Sequence, residues 1–180
     1  VTANAISGDF GLTGTVTIAA LNINNAAATY NRLDWTSAFD LNGDGKHTAL
    51  DILNPGADLP SPADLSIDYA AGLQLKVIGG VTGAAGTGTI LTAGPVSIGG
   101  AAEFALTRQT VDVDTDGNGT ADLLAATLDG IALSVNSATV DVSGIANLNV
   151  SGKLAVARVT PSGAGATVRY SALKMGDVSV

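Results

Sequence analysis

Two short windows hold the residues whose types and spacing suit a chemical task. The first reads Asp40-Leu41-Asn42-Gly43-Asp44-Gly45-Lys46-His47-Thr48-Ala49-Leu50-Asp51. Side-chain oxygens stand at positions 1, 3 and 5, glycine at 6 and a carboxylate at 12, the pattern of a twelve-position calcium-binding loop. Lys46 at position 7 offers its backbone carbonyl, and Thr48 at position 9 donates directly or through water. A hard cation of this kind takes six to eight oxygens at about 2.3–2.6 Å, and alternate residues of a tight loop converge such donors. Asp51 stands where the pattern usually has Glu, so its shorter arm is expected to give one oxygen in place of two.

The second window reads Asp112-Val113-Asp114-Thr115-Asp116-Gly117-Asn118-Gly119-Thr120-Ala121-Asp122. Two registers fit it. Starting at Asp114, the donors are Asp114, Asp116 and Asn118, with Gly119 at the turn, the carbonyl of Thr120, and Asp122 at position 9. Starting at Asp112, they are Asp112, Asp114 and Asp116, with Gly117 at the turn. The first is preferred because it uses Asp122; neither supplies a carboxylate at position 12. Asp, Asn and Gly are also what ordinary turns use. However, seven of the sixteen acidic residues fall in these two windows, and massing like charges in a turn is unfavourable unless a cation neutralises them. The reading is therefore two Ca2+ sites, made by Asp40, Asn42, Asp44, Lys46, Thr48 and Asp51, and by Asp112, Asp114, Asp116, Asn118, Thr120 and Asp122.

The elements that must carry these loops read as strands. Leu65, Ile67 and Tyr69 alternate with polar or small residues, as do Leu73, Leu75 and Val77, and then Leu148 and Val150. That period of two marks half-buried strands, and glycine, Asn and Ser fill the gaps between them. One helical turn is expected around Thr48 to Leu53, stopped by Asn54-Pro55-Gly56. The expected fold is all-β: elongated antiparallel hairpins forming a twisted sheet or thin sandwich over one unit, residues 1–180.

An internal repeat supports this. Hairpins are expected over 12–39, 101–135 and 151–180, with strands and loops across 40–100. The returning arms of the last two align at offset 45, Leu128 with Leu173 and Leu133 with Val178. In each outgoing arm the apolar parity flips: Val16 and Ile18 give way to Leu21 and Ile23, Phe104 and Leu106 to Val111 and Val113, Val156 to Val159. An odd step needs a bulge, a bend, or a core that changes sides. Ile6-Ser7-Gly8, trailed by Phe10, Leu12, Gly14, Val16 and Ile18, resembles Val142-Ser143-Gly144, trailed by Leu148, Val150, Gly152, Leu154 and Val156. Val178-Ser179-Val180 matches the Leu133-Ser134-Val135 that precedes the internal copy. The chain is therefore expected to be one period of a tandem array, stacking head to tail.

Composition bounds the function. Eight basic against sixteen acidic groups give a net charge of −8, which disfavours nucleic acid and anionic membrane surfaces. No apolar run approaches the roughly 18 residues of a spanning helix, and no signal peptide is recognisable. Cysteine is absent and there is one histidine, His47, inside the first window, so no nucleophile–base triad is available. Trp35 and Tyr30 are expected to pack in the first hairpin and not to form a sugar platform.

The two windows resemble EF-hand and dockerin-type calcium loops and the acidic loops of integrin-like propeller repeats. In its composition and its Gly/Ser-punctuated β repeats, the whole chain is similar to repeat modules of giant bacterial surface adhesins and extracellular fibres. That resemblance implies no enzymatic activity. It implies a calcium-stiffened structural segment of a filament, adhesin stalk or surface layer, at the bacterial cell surface, with neighbouring copies as partners. The alternative is an extracellular carbohydrate- or protein-binding module with structural calcium.

Overall fold

Alternation of branched apolar with small residues favours extended backbone, and the computed structural model is accordingly built of strands. It describes residues 10–12, 15–48, 51–83, 88–93 and 96–179. In chain order the strands are β1 (Phe10–Leu12), β2 (Thr15–Ile23), β3 (Leu73–Thr82), β4 (Thr89–Ala93), β5 (Val96–Val113), β6 (Leu123–Val142), β7 (Ala146–Thr160) and β8 (Tyr170–Ser179). All pair antiparallel in one open sheet. β4 and β3 lie end to end beside the long β5, and β1 and β2 lie beside them in turn. Eight strands thus fill six ranks. The matching Ile6-Ser7-Gly8 stretch and Val180 lie outside the described residues, as does part of the turn expected at Thr48 to Leu53. The helical turn that forms is a 3-10 turn at Pro55–Asp58, with Asn54 accepting from the Gly56 N–H.

The last two expected hairpins form as β5–β6 and β7–β8. The one expected over 12–39 does not. β2 pairs with β3, and residues 24–72 between them make an irregular excursion with a single isolated bridge, Leu53 to Ile67. β3 supplies a period-two apolar run, and long-range contacts that close the excursion set it beside β2. Polar side chains then anchor the excursion. Asn24, 3% exposed, donates from its amide to the carbonyls of Leu33 and Ala70 and accepts from the Trp35 indole N–H. Arg32 donates to the Ala71 carbonyl and the Thr110 hydroxyl. Trp35 packs on Phe39 with ring centroids 5.5 Å apart, while Tyr30 is 76% exposed.

The parity flips resolve in two ways. In β2 the register shifts between Ile18 and Ala20; the extra residue, Ala19, keeps Val16, Ile18, Leu21 and Ile23 on one face. In β5 and β7 the register runs on unbroken past the flip, so the apolar set moves to the other face at Val111 and Val159. Beside Val111 lies Ala126, the one buried apolar residue among those described. For the same reason Leu128 and Leu173, aligned by the repeat, fall on opposite faces. Further bulges lie at Asn136 in β6 and beside Asp177 in β8. Bulges bend strands, and the bend opens a trough of about 1030 Å³ on one face.

Cross-strand partners share a face, so the register separates the two surfaces of the sheet. One carries the row Leu21, Val77, Leu106, Ile131, Val156, Leu173. Next to it runs Ile18, Gly79, Phe104, Leu133, Leu154, Met175, and beyond that Val16, Val81, Ala102, Val135. The opposite, troughed surface carries Ala20, Ile78, Ala105, Ala132, Ala155, Lys174 and Thr17, Gly80, Glu103, Ser134, Lys153, Gly176. One surface is mainly aliphatic; the other is mainly small residues, with Ile78 and the charged Glu103, Lys153 and Lys174 among them.

Candidate metal-binding loops

Both acidic windows build closely similar hydrogen-bond networks: positions 4 and 6 donate to position 1 in each, and the third donor is position 5 in the first and position 3 in the second. In the first, Asp40 at position 1 accepts from the N–H groups of Gly43 (2.8 Å), Asp44 (3.1 Å) and Gly45 (2.9 Å). Asn42 accepts from Asp44 N–H (2.8 Å), and Asp44 from Lys46 N–H (2.8 Å). In the second, Asp114 accepts from the N–H groups of Asp116 (3.2 Å), Gly117 (2.7 Å) and Gly119 (2.7 Å). Asp116 accepts from Asn118 N–H (3.1 Å), and Asn118 from Thr120 N–H (2.8 Å). Positions 4 and 6 hold positive φ in both: 75° and 78° at Gly43 and Gly45, 79° and 87° at Gly117 and Gly119. Glycine reaches that region without the steric penalty other residues meet, so the local sequence alone dictates the coil.

The loops close differently. Residues 114–122 cap the β5–β6 hairpin, with Asp122 N–H donating to the Val113 carbonyl (2.9 Å). The Asp122 carboxylate accepts from both the N–H (2.8 Å) and the hydroxyl of Thr115, folding it back over the coil. One carboxylate oxygen from each of Asp114, Asp116 and Asp122 then lies within 4.8 Å of the others, and all three residues are exposed. Such a group could hold a metal ion, with Asn118 and the carbonyl of Thr120 on the same coil. Asp112 does not join it. Its carboxylate accepts from Ala125 N–H (2.8 Å), and Ala125 is the positive-φ residue of a bulge (φ 53°). The geometry therefore favours the register that starts at Asp114. Ser162, in the tip of the β7–β8 hairpin, donates its hydroxyl to the Leu124 carbonyl (3.0 Å) and pins that tip beside the loop.

The first window lies in the 24–72 excursion and not at a hairpin tip, and Ala49 and Leu50 lie outside the described residues. Asp51, 3% exposed, accepts from the N–H groups of Leu41 (3.1 Å), Asn42 (3.3 Å) and Thr48 (3.2 Å) and from the Thr48 hydroxyl (3.1 Å). It ties the loop shut from beneath. Among the described residues, Asp40, Asp44 and Asp51 do not converge as the second group does.

The same bonds set the acidities. Burial pushes Asp51 up, but the bonds from Thr48, Asn42 and Leu41 outweigh it and leave its carboxyl below the usual value. The N–H groups of Gly119 and Gly117 hold Asp114 low, and the Thr115 hydroxyl and N–H do so for Asp122. Carboxylates kept ionised are what cation binding requires. His47 is exposed. Sequence reasoning did not single out Thr115, which positions Asp122, or Asn24, which orders the excursion. Nothing in the spacing of either residue marked it. Comparison with protein-family models, curated proteins and solved structures returns no match.

Proposed function

We propose that this chain is a structural, calcium-stabilised building block of an extracellular filament, adhesin stalk or surface layer, with copies joined head to tail. The observation that carries the reading is the duplicated coil. Two loops 74 residues apart fold position 1 over positions 4 and 6 in the same way, and in one of them three carboxylates converge. In the second loop Asp114, Asp116, Asn118, the Thr120 carbonyl and Asp122 would hold Ca2+. In the first, Asp40, Asn42, Asp44, the Lys46 carbonyl and Thr48 would do so, with Asp51 bracing the coil. The ion neutralises charges that otherwise repel, and so stiffens the hairpin tip and the excursion.

Sheet topology supports the joining of copies. The six ranks alternate in direction, so β2 and β8 run opposite ways at the two edges. A copy displaced by pure translation would set its β2 antiparallel to β8, continuing the alternation. Such a contact is heterologous and does not close, which is how filaments grow. A second reading, a carbohydrate- or protein-binding module, is favoured by the trough on the small-residue face.

Calcium titration against thermal melting tests the proposal. At a typical extracellular Kd of about 0.1 mM and about 1 mM free calcium, each site adds about 1.4 kcal/mol. Two sites raise the melting temperature by roughly 6–12 °C for a domain of this size. A melting curve that chelator leaves unchanged removes both metal assignments.

A further inference from the structure

Among the described residues, nothing forms a layer over the aliphatic face of the sheet. Its three rows cross up to all six ranks, and several large members stay open to solvent, Leu21 at 56%, Leu173 at 65% and Met175 at 59%, while Leu106, Leu133 and Leu154 are half-buried. Even Ile131, at the centre of the face, is 45% exposed. The accessible surface of the chain is 11767 Å², against about 8,000 Å² for a compact monomer of its mass. A domain buries its apolar surface between two packed layers, and among the described residues there is one. The charged group Arg108, Asp129 and Arg158 borders the rows at one end, in register across three strands. Arg108 grips Asp129 at 2.6 and 3.1 Å. The face thus has an apolar centre with a charged margin, the anatomy of an interface.

We infer that this face is the contact surface between two copies of the chain, packed sheet on sheet, so that the sandwich forms between chains. The argument for a second copy is one of width, relief and area. Whatever covers the patch must span six ranks and present a pleated aliphatic surface of matching repeat, and the chain itself is such a surface. With strands about 4.8 Å apart and residues rising about 3.4 Å, two rows of six ranks and one of four cover roughly 520 Å². Covering that area on both partners removes about 1,000 Å² from water, the size at which an interface becomes specific. Aligned sheets pack about 10 Å apart with side chains interdigitating, and Gly79, lying under the Phe104 ring, keeps the middle row low. The contact uses faces and involves no metal, so it stands apart from edge-to-edge joining of copies.

Light scattering on the intact chain, with calcium and with chelator, should give twice 17.7 kDa as the smallest stable species. Ile131→Asp should weaken association at least a hundredfold, while Ala132→Asp, one residue on and facing the trough, should leave it intact. Because Ile131→Asp could also unfold the chain, unique thiols give a second readout in a protein with no cysteine. Ile131→Cys should react with a thiol reagent at least tenfold more slowly than Ala132→Cys. A monomer, equal reactivity of the two thiols (the result if only edges pair), or monomers that bind lipid vesicles through this face would each overturn the inference. A dimer that persists in chelator would uphold it while leaving the calcium reading to its own test.

Discussion

The two acidic loops share a coil and differ in what holds it. In residues 114–122 every bond to the coil's acids comes from within the loop, the acids are exposed, and Asp122 swings back through Thr115 to meet Asp114 and Asp116. In residues 40–51 the closing acid is buried beneath the coil, and its two oxygens accept four hydrogen bonds. The second loop thus brings three exposed carboxylates together where they could hold a metal ion, whereas the first is braced by its own hydrogen bonds. A shared pattern of Asp, Asn and Gly determines the coil, and the placement of the closing acid, position 12 in the first loop and position 9 in the second, decides the direction in which the carboxylates point.

The contrast is most strongly tested by removing the closing acids. Asp51→Ala should lower the melting temperature by more than about 4 °C even in chelator, because three N–H groups and a hydroxyl lose their shared acceptor. Asp122→Ala should leave the chelated melting curve within about 1 °C of the parent and reduce the calcium-induced shift by about half. Equal effects of the two substitutions in chelator would show that the loops are braced alike.

Acid comes next in size. The carboxyls of Asp51, Asp114 and Asp122 are all held below their ordinary values. Their contribution is therefore present above about pH 4, the unfolded value, and is lost as pH falls through the lowered folded values. Melting followed from pH 7 to pH 2 should be flat at first and decline below about pH 4. The decline should lie lower when calcium is present, since the ion competes with protons. A decline beginning near pH 6 would point to other groups.

The smallest effect separates the two registers of the second loop. Asp114→Ala should weaken calcium binding at least tenfold. Asp112→Ala should leave calcium affinity unchanged and lower the melting temperature by only about 2 °C through the bulge it caps. Isothermal titration of both variants reads this directly, and a loss of affinity in Asp112→Ala would favour the register that starts at Asp112.

The β5–β6 hairpin and its loop were legible because their information is local. Val113 and Leu123 flank a run in which the donors lie two to five residues from their acceptors. The odd step from Ile18 to Leu21 was legible for the same reason, since it lies within one strand, but that a bulge resolves it in β2 and a change of face in β5 and β7 was not. The partner of β2 was not legible. Any period-two run of suitable length satisfies a strand edge, and the choice of Leu73–Thr82 over 30–39 rests on contacts that close a long excursion. Those contacts pass through Asn24 and Arg32, whose neighbours in sequence carry no mark of the role.

By itself the sequence determined the strand period, the positive-φ glycines, and the coil that folds each leading aspartate over the N–H groups behind it. These depend on backbone sterics and on hydrogen bonds spanning a few residues. Only the tertiary structure decided which aspartates converge, that Asp112 serves a bulge, and that the apolar residues of six ranks line up on one uncovered face. A side chain's face follows from strand register, and register is set by pairing between segments far apart in the chain.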